Sequence, residues 1–582
     1  MDDKNNLEAL RHSCAHLLAA AVMELWPNTK RTIGPAIENG FYYDFDFENP
    51  ISEGDLTKIE KKMAELLPTW NGFEGREVSV DESLKIFKDN PYKIELINEI
   101  ASSGQKITIF KSGKFEDLCR GGHVKNPSKE IGAFKLLSIA GAYWRGSEKN
   151  PMLTRIYGTC WPSKKELDEY LNNLEEAKKR DHRKLGAQLG LWVFSDYVGS
   201  GLPLFTQKGA LIRRLINEFV EELQTAQEIY QVWTPQIAKA QLFKISGHYD
   251  KYRENMFHVR SNYSKEEFFL KPMNCPQHTQ IYASQPRSYK DLPIRMSDFA
   301  MLYRDEKPGE LSGLTRTRSF SQDDCHVFCR EDQIIDEMNI ALDMTQKIMA
   351  SYGFSYKYRL STRDPNNLDK YLGDNKHWEK AEKLAEKILK DKKIDYFIGS
   401  GEAAFYAPKL DLIAKDSLGR EWQLSTLQID FVMPERFKLS YVDQNGKLTR
   451  PVMLHRAISG SPERLMAILI EHFGGAFPTW LAPVQVIIIP ISQKNNKFAQ
   501  KLYSELKLLG IRTEIDDKNE TMQARLRDAL VEKVPYVAIV GDREESNLKV
   551  NVRKRGEDKS FDLKIDEFKN RLTKEIANRD IK

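Results

Sequence analysis

Apolar residues in the segment 7–26, LEALRHSCAHLLAAAVMELW, recur at helical spacing as Leu7, Leu10, Leu17, Leu18, Val22 and Leu25. The pattern predicts an amphipathic helix, and it puts His12 and His16, four apart, on one face. Gly34-Pro35 and Asn39-Gly40 then punctuate a β-rich run over 40–47. Segment 162–186 is charged almost throughout and predicts a solvated helix ending at Gly186, with Pro162 in its first turn and basic residues in its last. A further helix over 210–228 carries two adjacent apolar rows. One is Leu211, Leu215, Phe219 and Leu223; the other is Ile212, Ile216 and Val220. Beyond Pro483 the pattern alternates apolar strands (484–490, 511–515, 536–540) with helices (496–509, 521–533). That predicts a small α/β domain with a partly parallel sheet.

The stretch with the densest chemistry is 299–329, FAMLYRDEKPGELSGLTRTRSFSQDDCHVFC. It predicts two antiparallel strands joined by a polar loop, 307–315, that holds Pro308, Gly309 and Gly313. Alternation along the second strand sends Phe320, Gln322, Asp324 and His326 to one face and Ser321, Asp323, Cys325 and Val327 to the other. The first strand adds Arg304 and Glu306. With Arg316, six polar side chains of mixed type converge on one surface, and solvation alone gives no reason for that mixture.

A chain of 582 residues predicts three or four domains rather than one core. The net charge of +4 means that nucleic-acid binding would need local basic patches. There are six cysteines, none in C-x-x-C and none behind a secretory signal, so a reducing cytoplasm is expected. No apolar run approaches the ~18 residues that span a bilayer, so no membrane segment is expected. His12 and His16, together with Cys119 and His123 in DLCRGGH, make either a zinc site by ligand type or a metal-free acid/base cluster.

Arg304-Asp305-Glu306, the loop, and Arg316-x-Arg318-x-Phe320-x-Gln322-Asp323-Asp324-x-His326 resemble motif 2 of the class II aminoacyl-tRNA synthetases. The ending Gln-Asp-Asp-x-His is similar to threonyl-tRNA synthetases in particular. The 210–228 helix with Tyr230-Gln-Val-Trp-Thr-Pro235 resembles motif 1, the family's dimer interface. His455-Arg-Ala-Ile-Ser-Gly-Ser461-Pro-Glu-Arg464 resembles motif 3. The resemblance implies a multidomain α+β and α/β chain with an antiparallel-sheet catalytic core. Its parts would be an α+β editing domain (1–161), a linker helix (162–190), the catalytic domain (191–482) and an α/β anticodon-binding domain (483–582). The small β-grasp domain with which the family usually begins is expected to be missing.

The resemblance further implies roles. Cys275, His326 and His455 would hold one zinc ion, and such a set leaves the fourth tetrahedral position open. Gln277 stands where the family has glycine. Arg304 would hold the α-phosphate of ATP, Glu306 and Arg316 would place the nucleotide with Mg²⁺, and Arg464 would stack on adenine. Gln322, Asp324 and Tyr406 would orient L-threonine, with Lys409, Gln423 and Gln428 on strand ends facing the site. His248 is a candidate base for the tRNA hydroxyl. His12, His16, Cys119 and His123, with Lys93, are similar to the family's metal-free hydrolytic cluster, although Gly122 replaces a common proline. Asn519, Arg527, Glu544 and Arg553 fall at anticodon-reading positions. The activity implied is charging of tRNA(Thr) by a homodimer, with hydrolysis of seryl-tRNA(Thr). One methyl group separates serine from threonine by only about 1–3 kcal/mol, so a second, hydrolytic site is expected. The alternatives are a prolyl enzyme, which should lack the Cys-His-His set, and a synthetase-like RNA-binding regulator.

Overall fold

The computed structural model describes residues 2–581, in two compact units that divide between Glu175 and Glu176. In the first unit, helix Asp2–Leu25 lies against an antiparallel sheet whose path runs Lys30–Arg31, Gly40–Asp46, Met152–Trp161, Ala133–Tyr143. A separate three-stranded sheet, Glu74–Val78, Ile107–Ser112 and Phe115–Leu118, carries the Cys119 loop at its end. The helix is less amphipathic than expected. From Leu10 to Val22 every residue but His12 is buried, because the helix packs against both the sheet and helix Leu56–Leu66, which itself touches strand Ala133–Tyr143. Small residues there, Ser13, Cys14, Ala15, Ala19 and Ala21, permit that close approach on both sides.

The second unit is built on an eight-stranded sheet. Its order is Tyr230–Gln231, Ile294–Asp298, Asp324–Cys329, Val452–Ala457, Glu421–Asp430, Lys409–Lys415, Ser355–Thr362, Tyr396–Ser400. The inner pairs are antiparallel and the two end pairs parallel. Cys325, Val327, Leu427 and Leu454 join the core formed with helices Gln207–Thr225, Ile334–Tyr352 and Pro462–Phe473. The register sets His326 beside His455, and His455 beside Gln428.

The structure revises three expectations. The long hairpin is two pieces: Met301–Tyr303 pairs only with Ser319–Ser321, and Asp324–Cys329 then enters the large sheet. The break at Gln322-Asp323 exists because the Asp323 carboxylate turns to cap the backbone at 458–460. The charged helix stops at Arg180, and Asp181 caps a second helix, His182–Gln188. Gly186 lies inside that second helix because the Trp192 ring closes over it; a Cβ there would stand 1.9 Å from the ring. The long helix starts at Gln207, capped by Thr206, and ends at Thr225. Its Ile212, Ile216, Phe219 and Val220 are buried, and Leu215 and Leu223 pack on the same core, so the wide stripe serves the fold and does not by itself argue a dimer.

The C-terminal sheet runs Thr513–Ile515, Val486–Pro490, Tyr536–Val540, Lys549–Lys554, Phe561–Lys564, with its first two pairings parallel and the rest antiparallel. That is the partly parallel α/β domain the alternation predicts.

Candidate active site and hydrolytic pocket

One cavity of about 460 Å³ opens between the Ser319–Ser321 ladder and the start of helix Pro462–Phe473, with Arg304, Arg316, Phe320, Gln322 and Arg464 in its wall. The Arg304 guanidinium lies 4.9 Å above the Phe320 ring. Its buried Nε and that of Arg464 have no hydrogen-bond partner. Burial pushes the Arg464 pKa down, and the neighbouring cations Arg304 and Arg316 push it further. Arg316 donates to Glu306 at 3.0 and 2.7 Å and to Glu310 at 2.9 Å. Buried N–H groups without acceptors are costly, so this concentration of guanidinium suits an anion such as a phosphate group.

Two carboxylates that the sequence reading left out hold this wall together. Asp323 accepts from the backbone of Ile458, Ser459 and Gly460 at 2.8–2.9 Å, and burial raises its pKa to about 7. Glu463 accepts from Ser321 N at 3.0 Å and from Arg213 Nε at 2.7 Å, which ties motif 3 to motif 2 and to the long helix. Alternation identified Asp323 as facing away from the site, and only a search for what a buried carboxylate must bond could have found its role.

A second cavity of about 380 Å³ shares Arg304, Gln322 and Gln423 with the first. The ligand atoms of Cys275, His326 and His455 lie within 4.8 Å of one another there, and all three residues are buried. His326 Nε2 and His455 Nδ1 face each other at 3.0 Å. Their outer nitrogens are anchored: His455 Nε2 donates to Asp430 at 2.8 Å, and His326 Nδ1 meets His278 Nδ1 at 2.8 Å. Such anchoring fixes ring orientation in metal sites. Burial, then Asp324 and Asp430, pushes the Cys275 thiol well above its ordinary pKa, so it needs a cation to ionise. Donor types, inward nitrogens and surrounding carboxylates all fit a zinc ion.

Tyr406 donates to Gln428 at 3.1 Å in the same wall. Lys409 and Gln423 converge on the buried Asp411 carboxylate at 3.1 and 2.8 Å, where Arg359 also donates. Gln277 turns its amide away to Pro235 O, so the departure from glycine leaves the ligand trio undisturbed. His248 is not brought to either cavity. It is fully buried, 2.8 Å from Ser246 Oγ and 3.2 Å from Met273 Sδ, and Met273 takes the place at the wall. Burial drops its pKa to about 3.

In the first unit, a cavity of about 570 Å³ is lined by His12, His16, Tyr43, Lys93, Asp117 and Cys119. Cys119 Sγ lies 3.5 Å from His12 Nε2 and 3.3 Å from His123 Nε2. His123 stacks on Phe73, with ring centroids 3.8 Å apart, and its Nδ1 meets Ser13 Oγ at 3.3 Å. Lys93 Nζ sits 2.7 Å from Asp117 Oδ1, which Arg31 also holds, and the Tyr43 hydroxyl donates to Asp117 Oδ2. Burial opposes ionisation of Asp117, but Lys93 and Arg31 win and keep its pKa below the usual carboxylate range. Asp117 went unassigned in the sequence, although it stands only two residues before Cys119, on the strand that leads into its loop. Burial raises the Cys119 thiol to about 11 and lowers His16 to about 3 and His123 to about 2, so the cluster is a neutral thiol among neutral imidazoles. Gly122 has φ +83°, which proline cannot adopt, so this loop takes a path of its own.

Among the four C-terminal candidates, Asn519 and Arg527 are exposed and Arg553 is half-buried. The Glu544 carboxylate accepts from Gly541 N at 3.0 Å, closing the first turn of helix Asp542–Ser546.

Comparison with known proteins covers all these regions. Residues 257–473 match the tRNA synthetase class II core domain (G, H, P, S and T), 485–575 an anticodon binding domain, and 107–157 the threonyl and alanyl tRNA synthetase second additional domain. The chain is similar to threonine–tRNA ligases of Rubrobacter xylanophilus (48% identity, 99% of this chain and 90% of that one) and Thermotoga neapolitana (46%, 100% and 90%). Among solved structures it resembles the RNA binding domain of threonyl-tRNA synthetase from Cryptosporidium parvum (36% identity, TM-score 0.65, 68% of this chain and 98% of that one). A prolyl-tRNA synthetase from the same organism shares the fold at 18% identity and TM-score 0.51, over 68% of this chain and 77% of that one.

Proposed function

The chain belongs to the threonyl-tRNA synthetase family, and from that premise we propose how its residues divide the work. The family's reaction joins L-threonine to tRNA(Thr) at the expense of ATP, and the additional domain supports hydrolytic editing of mischarged tRNA. The observation that carries our assignment is the pair of adjoining cavities, one walled by unpaired guanidinium groups and the next by a Cys-His-His trio. ATP takes the first, and Mg²⁺ bound with it would offset the charge of its phosphates. Arg304 holds the α-phosphate and offsets charge that develops there as the threonine carboxylate attacks and pyrophosphate leaves. Glu306 fixes Arg316 against the nucleotide, and Arg464 meets the γ-phosphate and the base.

L-Threonine takes the second cavity. Gln322, Asp324, Tyr406 and Gln428 orient it, while Lys409 and Gln423 are braced by Asp411. Cys275, His326 and His455 would hold zinc, which when bound offers an open position to an amine and a neighbouring hydroxyl. His248 acts through Met273 at most and is not assigned proton transfer. Asn519, Arg527, Glu544 and Arg553 serve the anticodon, because unpaired bases are read by amides, guanidinium groups and carboxylates.

The 570 Å³ cavity is the editing pocket. A water attacks the seryl ester, the ribose hydroxyl leaves, and His12 and Cys119 move protons between them. We also propose a homodimer. Its support is an exposed apolar set after the long helix, Tyr230, Trp233 and Ile237, at 63%, 74% and 46% exposure. Pyrophosphate exchange with ATP tests the central reading: threonine should drive it and proline should not. Exchange driven by proline, or by no amino acid, overturns it. A monomer in micromolar sedimentation would remove the dimer.

A further inference from the structure

His182 stands outside both cavities, yet it is buried and every polar atom of its ring is engaged. Leu314 N donates to His182 Nε2 at 3.1 Å. An N–H donor requires a lone pair on Nε2, so the proton of the neutral ring is on Nδ1. That Nδ1–H donates to Glu471 Oε1 at 2.6 Å, and His182 N donates to the same oxygen at 3.0 Å. Glu471 in turn meets Arg420 at 2.6 Å. The ring therefore spans from the end of helix Pro462–Phe473 to the motif 2 loop. Residues 314–317 of that loop form one wall of the guanidinium-lined cavity. The fit is close from the loop side too. Gly313 has φ +51°, and a Cβ on it would stand 2.1 Å from His182 Nε2.

We propose that His182 is a positioning residue for nucleotide binding: its Nε2 holds the Leu314 amide and so sets where Arg316 and the rest of that wall stand. Simple packing does not explain the arrangement. An apolar side chain would fill the space but leave the buried Leu314 N–H without an acceptor. The inference rests on the reading of this cavity as the ATP pocket.

Two conservative variants separate the two ends of the ring. In His182→Asn the amide reaches the Nδ1 position, keeps the bond to Glu471 and loses Leu314. In His182→Gln the amide oxygen reaches the Nε2 position and keeps Leu314. Pyrophosphate exchange on the full chain should show KM for ATP raised roughly five- to tenfold by His182→Asn and His182→Ala, near the parent value for His182→Gln, and KM for threonine unchanged in all three. Gly313→Ala should raise KM for ATP as well, and adding His182→Ala to it should cost little more, because the collision partner has gone. Equal behaviour of Asn and Gln overturns the proposal, as does a parallel rise in KM for threonine or full additivity of Gly313→Ala with His182→Ala. An insoluble His182→Ala leaves the Asn, Gln and Gly313→Ala comparisons to decide. A parent chain with no ATP-dependent exchange would instead overturn the nucleotide reading itself.

Discussion

His12, His16, Cys119 and His123 in the first unit and Cys275, His326 and His455 in the second are made of the same two side-chain types, and each set brings its ligand atoms within 4.8 Å. Their surroundings differ in charge. Around the first set stand Lys93 and Arg31, with one carboxylate, Asp117, already bonded to both. In the second, His455 is bonded to Asp430 at 2.8 Å and Asp324 lies 3.7 Å from His326; Lys271 stands 3.8 Å from Asp298, and Arg304, Lys409 and Arg456 line the same cavity. A dication is favoured where carboxylates face its ligands directly and opposed where the nearest carboxylate is already neutralised by cations. The inner geometry agrees. In the second set both rings are anchored from outside and turn free nitrogens to one point. In the first, Cys119 lies between two imidazoles, 3.5 Å from His12 and 3.3 Å from His123, an arrangement that suits the proton transfer proposed for it. Residue type names a candidate ligand; the groups that face it are our ground for proposing metal chemistry at one cluster and proton chemistry at the other.

The largest effect that tests this contrast comes from the ligands themselves. Cys275→Ala should abolish zinc retention and lower threonine-dependent exchange by more than about 100-fold, judging by what even outer partners cost in metal sites. His12→Ala with Cys119→Ala should leave metal content and exchange alone. It should slow hydrolysis of Ser-tRNA(Thr) by about 10²–10⁴-fold, the usual scale of acid–base catalysis. Metal analysis and deacylation on both variants check the pair. If zinc leaves with the double variant, the two clusters have been assigned the wrong way round.

A smaller effect should follow from the anchors. Asp430→Asn keeps the shape but weakens the acceptor on His455, so zinc affinity against a chelator should fall about 10–100-fold. Lys93→Ala should change zinc affinity not at all. Equal zinc affinity in parent and Asp430→Asn would show that the carboxylate shell is incidental.

How much of this was legible beforehand follows from range. The C-terminal α/β alternation and the face shared by Gln322, Asp324 and His326 show as local periods in the sequence, whereas the Cys275-His326-His455 set and the roles of Arg304, Arg316 and Arg464 were legible only through the resemblance to the synthetase motifs. Asp323, Asp411, Asp117 and Glu463 were not assigned roles, because a carboxylate's role depends on donors far along the chain: Asp117 is bonded to Arg31, 86 residues away, and Glu463 to Arg213, 250 away. His248 was a candidate base through the resemblance alone, and its burial behind Met273 could not be read from the sequence. The two apolar rows of the long helix suggested an interface, and the core absorbed them.

The C-terminal residues offer a milder contrast, since they touch neither cluster. Arg527→Ala or Arg553→Ala should weaken aminoacylation a few-fold through KM for tRNA, as each guanidinium–RNA contact contributes modestly. Exchange should not change. A drop in exchange would mean that these residues act on the catalytic half.

The smallest and most diagnostic effect is on pH. His16 and His123, with pKa values near 3 and 2, stay neutral in the folded unit well below the ordinary 6.5. Because the folded values are depressed, the unfolded chain binds protons first as pH falls through 6.5, and stability of this unit declines from there toward the folded values. Stability is therefore full above about 6.5 and falls in acid, and Asp117, also depressed, adds to the same slope at lower pH. Catalysis should behave differently from stability. His16 and His123 remain neutral while the unit stays folded, and burial holds His12 below its ordinary value, so deacylation should show no inflection at 6.5 itself. Hydrogen exchange of helix Asp2–Leu25, corrected for intrinsic rates, should report looser protection at about pH 5. The proposed zinc cluster should give the opposite readout over the same range: protons would compete with a metal for His326 and His455, so acid should release zinc. An inflection in deacylation at the ordinary histidine value would mean that water, not protein, surrounds those rings during the reaction.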